Sequence, residues 1–116
     1  MDVKIYHNPR CSKSRQTLQL LKDKGIEPEV IEYLSTPPNA DELTRILTML
    51  DMGPRDLMRR QEAVYKDEGL GDKSLSDEAL IQAMVDHPIL IERPIVVVDE
   101  ARAAIGRPPE NVEAIL

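Results

Sequence analysis

The chain has 116 residues and a formal net charge of −6, with 15 Lys and Arg against 21 Asp and Glu. That length predicts a single domain over 1–116, and the acidic balance argues against a nucleic-acid partner, which needs a basic surface. No apolar run approaches the roughly 20 residues of a membrane span and the N-terminus lacks a secretory pattern, so a soluble, cytoplasmic protein with no membrane partner is expected, its core aliphatic because only 3% of residues are aromatic.

Val3 to Tyr6 is a short apolar run and reads as a strand; His7-Asn8-Pro9-Arg10 carries loop chemistry. Cys11 to Lys24 reads as a helix with Leu18, Leu20 and Leu21 as its apolar stripe, stopped by Gly25. Glu29 to Leu34 is rich in apolar and β-branched residues and reads as a second strand. Strand, helix and strand at this spacing predict a βαβ unit with parallel strands. Thr36-Pro37-Pro38-Asn39 then breaks the pattern. Leu43, Ile46, Leu47 and Leu50 repeat at helical spacing and predict an amphipathic helix over 41–51. Gly53-Pro54 ends it and opens another over about 55–65. Ser76 is placed to cap a helix over 77–86, with Asp77 and Glu78 favourable in its first turn. Roughly 37–88 is thus a helical insertion. Ile95 to Val98 reads as a buried strand, Asp99-Glu100 as a turn, Ala101 to Ile105 as a hairpin partner, and Glu110 to Leu116 as a short closing helix. Pro94 directly before the buried strand suits a cis Arg93–Pro94 bond. The sum is an α/β fold: a thioredoxin-like, four-stranded mixed sheet with an inserted helical subdomain.

The chain holds one cysteine, Cys11. It cannot form an internal disulfide, so redox chemistry at this thiol requires a second thiol from outside the chain. One Cys and two distant His residues, His7 and His87, match no metal-ligand spacing, so no metal is expected. Cys11 lies between a strand and a helix, where exposed amides favour negative charge and lower a thiol pKa. His7, Arg10, Lys13 and Arg15 surround it without an intervening acid. On the residues alone, Cys11 is either an activated thiolate or a small buried hydrophobe flanked by solvated cations. Cys11-Ser12-Lys13-Ser14 has the form Cys-x-x-Ser; Ser14 either donates to the thiolate or caps the first turn, and His7 either assists the thiol or is structural. Arg93 and Arg107 stand at element boundaries and Arg59 and Arg60 lie on the helical insertion, and arginine beside a nucleophile suits an oxyanion.

The run Ile5-Tyr6-His7-Asn8-Pro9-Arg10-Cys11-Ser12-Lys13-Ser14-Arg15 resembles the N-terminal signature of the glutaredoxin-coupled arsenate reductase family. The similarity continues through Tyr33-Leu34, Pro37-Pro38, Asp41-Glu42-Leu43, the run from Arg55 to Arg60, the run from His87 to Val97, and Gly106-Arg107-Pro108-Pro109. It is similar to the short chromosomal branch, although the best-known members carry Cys-Gly-Thr-Ser where this chain has Cys-Ser-Lys-Ser. The resemblance implies Cys11 as the nucleophile toward arsenate or a similar oxyanion, Arg59, Arg93 and Arg107 as the anion site, and His7 and Ser14 as residues that lower the thiol pKa. It implies no bound cofactor, glutathione as reductant and glutaredoxin as the partner that resolves the mixed disulfide. Two other activities suit the residues: an adaptor like the related Spx regulators, which bind RNA polymerase, and a glutathione-dependent thiol transferase. Redox-switching Spx proteins use Cys-x-x-Cys, whereas this chain has Ser14.

Overall fold

The computed structural model describes residues 1–116. The chain forms two compact units, one from Met1–Thr36 with Arg93–Leu116 and one from Pro37–Glu92. No helix is long and apolar enough to cross a membrane.

The first unit holds β1 (Val3–Tyr6), α1 (Ser12–Asp23), β2 (Glu29–Ile31), β3 (Ile95–Val98), β4 (Arg102–Ile105) and a 3-10 helix at Pro109–Ile115. The sheet order is β2-β1-β3-β4. β1 and β2 are parallel, with Lys4 opposite Glu29 and Tyr6 opposite Ile31. β3 runs antiparallel to β1, and β4 antiparallel to β3. This is the mixed four-stranded sheet expected from the residue pattern. Alternation along β1 sends Val3 and Ile5 to one face, where Val96, Val98, Leu21 and Val112 complete an aliphatic core. Ile5 lies opposite Val96 and Val3 opposite Val98, so the pairs on this face are in register.

Several boundaries differ from expectation. β2 ends at Ile31 rather than Leu34, because the Glu32 carbonyl accepts the N–H groups of Ser35 and Thr36 and turns the chain. The turn leaves Tyr33 buried and Leu34 exposed. Cys11 is the N-cap of α1 rather than its first residue. At the other end of α1, Gly25 takes φ +78, its N–H donates to Lys22 O at 2.9 Å, and Ile26 N–H donates to Leu21 O at 3.0 Å. That double bond closes the helix in a Schellman motif, which favours glycine at the left-handed position. Asp99 and Glu100 both take positive φ in the β3–β4 turn. The closing segment is a 3-10 helix, not an α-helix, with Val112 as its buried anchor. Arg93–Pro94 is cis, as is Arg107–Pro108, which the sequence pattern did not single out.

The second unit holds α2 (Ala40–Leu50), α3 (Pro54–Leu57), α4 (Ala63–Asp67), α5 (Asp77–Asp86) and a 3-10 turn at Pro88–Leu90. Asn39 caps α2 by accepting from Glu42 N–H at 2.8 Å, and Ser76 caps α5 by accepting from Ala79 N–H at 3.1 Å. Leu43, Ile46 and Leu47 of α2 and Leu80 and Met84 of α5 form buried faces at helical spacing. The single helix expected over 55–65 is two short ones. Between them Met58 is extended and bridges to Ile91, Arg59 N–H donates to Leu90 O at 2.7 Å, and Glu92 N–H donates to Leu57 O at 2.9 Å. Leu57 and Met58 are consecutive and both buried.

Candidate active site

Cys11 follows the loop 7–10 and opens α1, with its N–H donating to Asn8 O at 3.0 Å. The residue is 9% exposed. Burial opposes ionisation of such a thiol, yet its pKa is held below the ordinary value. The opposing causes are the backbone N–H of Ser14, a hydrogen bond and positive charge from Arg93, and the backbone N–H of Lys13. Sγ makes no full capping hydrogen bond, so these amides act through their orientation toward the sulfur, as a helix N-terminus does for any anion. Arg107 approaches from the end of β4, with Nη1 3.7 Å from Cys11 Sγ and 3.4 Å from Arg93 O.

The structure brings Cys11, Ser14, His7, Arg93 and Arg107 together in the first unit. His7 and Ser14 form a buried pair, with His7 Nδ1 2.6 Å from Ser14 Oγ. Ser14 Oγ also accepts from Asn8 N–H at 3.0 Å. The Ser14 hydroxyl is thus committed to His7 and the loop, and it is the Ser14 backbone that serves the thiol. Burial pushes the His7 pKa down, which keeps the ring neutral at neutral pH. The local cations contribute less than their spacing suggested. Arg10 is exposed, and Arg15 turns back to donate to Pro9 O at 3.0 Å. The cations at the sulfur are Arg93 and Arg107, both remote in sequence. Arg59 belongs to the second unit, where it pairs with Glu62 and Glu92. Arg60 pairs with Asp56 on the surface.

Thr17, which the sequence pattern did not single out, and Gly106, read there only as part of the Gly106-Arg107-Pro108-Pro109 run, support this arrangement. Thr17 is fully buried one turn beyond Ser14, on the face of α1 that also carries Leu21. Its hydroxyl lies 2.8 Å from Lys13 O and 3.4 Å from Gly106 O. Gly106 is the last residue before Arg107, and a Cβ there would meet the Thr17 side chain and approach Pro94 Cγ to 2.8 Å. Only glycine lets the β4 end sit this close to α1. The available signal was a polar residue, Thr17, at i, i+3 and i−4 from Ser14 and Leu21.

The sequence profile of the ArsC family matches residues 6–115. The chain belongs to the ArsC family. Within it, the chain is 61% identical to the uncharacterized protein YfgD of Escherichia coli K12, covering 98% of this chain and 96% of that one. It is 49% identical to a protein of Neisseria meningitidis named arsenate reductase, covering 99% of this chain and 98% of that one. Among ArsC structures, arsenate reductase from Vibrio cholerae superposes with a TM-score of 0.96 at 55% identity, covering 100% of this chain and 98% of that one.

Proposed function

We propose that this chain is an arsenate reductase that uses Cys11 as nucleophile and glutathione with glutaredoxin as its source of electrons. The observation that carries the reading is a single thiol, its pKa held low against burial by helix amides and Arg93, with a second guanidinium 3.7 Å away. Arg93 and Arg107 are the anion ligands of the first unit, and Arg59 of the second unit is a further one by its match to the family pattern. Guanidinium forks bind tetrahedral oxyanions through paired N–H donors. His7 and Ser14 fix the loop ahead of Cys11 and keep the Ser14 amide aimed at the sulfur.

In this reading the Cys11 thiolate attacks the arsenic of a protonated arsenate and displaces one As–OH group, which takes a proton from solvent and leaves as water. A glutathione thiolate then attacks the Cys11 sulfur. The S–As bond breaks with its electron pair on arsenic, which leaves as trivalent arsenite, and Cys11 is left in a disulfide with glutathione. A glutaredoxin thiol takes the glutathione and returns Cys11 as thiolate. With Ser14 in place of a resolving cysteine, the chain supplies one thiol of the cycle and its partners supply the others.

Arsenate-dependent NADPH consumption, coupled through glutathione, glutaredoxin and glutathione reductase, tests the reading. Wild type turns over and Cys11→Ser does not. Equal rates for the two, or reduction of glutathione mixed disulfides with no response to arsenate, would refute it.

A further inference from the structure

Gly106 is buried at the end of β4, and its backbone lies outside the left-handed region that Gly25 and Gly69 occupy. Glycine is therefore required there for space and not for conformation. Its N–H donates to Pro94 O at 3.0 Å. A Cβ at this position would overlap Thr17 Oγ1 and stand 3.0 Å from Thr17 Cγ2 and 2.8 Å from Pro94 Cγ. Side-chain atoms do not pack at such distances, so α1, the end of β4 and the segment at Pro94 meet with no room for one more methyl group. Thr17 is fully buried, and its hydroxyl donates to Lys13 O at 2.8 Å within its own helix. What reaches Gly106 from Thr17 is chiefly packing.

This contact adjoins each part of the thiol site. Arg93 is the residue before Pro94, Arg107 the residue after Gly106, and Cys11 caps the helix that carries Thr17. Arg107 Nη1 is 3.7 Å from Cys11 Sγ and 3.4 Å from Arg93 O, and Arg93 also hydrogen-bonds the thiol. Coulomb attraction at this range changes steeply with distance. Displacing the end of β4 from α1 carries Arg107 with it, and carries Arg93 through the bond between Gly106 and Pro94. We propose that Gly106 and Thr17 are positioning residues: their contact, shared with Pro94, sets how closely Arg93 and Arg107 stand to the Cys11 sulfur. Both act through the guanidinium groups rather than on the sulfur. This inference rests on the reading of Cys11 as the nucleophile.

The pH dependence of Cys11 alkylation by iodoacetamide tests this with no arsenate present. Gly106→Ala should raise the midpoint by roughly half a pH unit, the shift expected when a guanidinium that starts at about 4 Å retreats by about 1 Å at an effective dielectric of about 20. Thr17→Ala added to Gly106→Ala removes the α1 atoms that the new methyl group meets and should recover part of that shift. With Arg93→Gln and Arg107→Gln already in place, Gly106→Ala should have little effect, because residues that act through one another are not additive. Thermal melts establish that each variant is folded; should Gly106→Ala not fold, Thr17→Ile crowds the same contact from α1 and is expected to raise the midpoint likewise. An unchanged midpoint in the folded variant, no recovery with Thr17→Ala, or a full shift without the two arginines, as simple loosening of the fold would give, overturns the proposal. A wild-type midpoint at or above that of a free thiol refutes the reading of Cys11 as nucleophile and the inference with it. A low wild-type midpoint that none of the variants moves refutes the inference alone.

Discussion

A thiol that acts as a nucleophile near neutral pH must ionise, and its burial works against that. At Cys11 the opposition is overcome by two amides of the first helical turn and by Arg93. The thiolate is present above the folded pKa, so alkylation by iodoacetamide should rise with pH through a midpoint below that of a free thiol. Arg93→Gln should move that midpoint upward, toward the free value; a wild-type midpoint at or above the free thiol would remove the electrostatic basis of the site. Linkage gives the same effect a second readout. A depressed thiol pKa adds stability that is complete above the unfolded pKa and is lost as pH falls through the folded one. Wild type should therefore gain stability over Arg93→Gln as pH rises through that window. The lone thiol at a strand-to-helix junction was legible from the residues. Its partners were not, because the nearby Arg10 and Arg15 are drawn to solvent and to Pro9 O while two arginines more than eighty positions away take their place.

Helix ends in this chain follow local chemistry closely. Asn39 and Ser76 each accept an amide three residues on, as short polar side chains do at an N-cap. Replacing Asn39 by Ala should cost about 1 kcal/mol, read as a lower urea midpoint with an unchanged slope. Local pattern served less well where an element exchanges its own hydrogen bonds for those of a distant one. The run from Arg55 to Tyr65 has helix-compatible residues, yet Met58 and Arg59 pair with Leu90 to Glu92 instead. α1 shows the same limit in its side chains. Its buried face is Ser14, Thr17 and Leu21, so two of three positions are polar. Hydropathy alone pointed to the leucines, whereas Thr17 is buried against Gly106 with its hydroxyl satisfied by Lys13 O at 2.8 Å.

For the whole molecule, an aliphatic core has to supply the stability that aromatic residues would otherwise share, since the chain has three Tyr and neither Phe nor Trp. Part of that core lies against the sheet, where Ile5, Leu21, Val96, Val98 and Val112 are all fully buried. Ile5 sits on a central strand between a parallel and an antiparallel neighbour. Ile5→Ala should lower the unfolding free energy by about 2–5 kcal/mol, as for other large-to-small changes in close-packed cores. Chemical denaturation would show this, and a loss well under 1 kcal/mol would mean the sheet repacks around the gap.

Periodicity, turn residues and a count of one cysteine were enough to determine the order of strands along the chain, the helical character of the central segment and the position of the one thiol, because each depends on neighbours a few residues apart. Tertiary structure alone decided where the guanidinium groups meet the sulfur, which hydroxyls are buried, and that Arg59 is shared between two carboxylates. Those outcomes depend on which distant backbone segments pair, and no local pattern encodes the distance between residues separated by eighty positions.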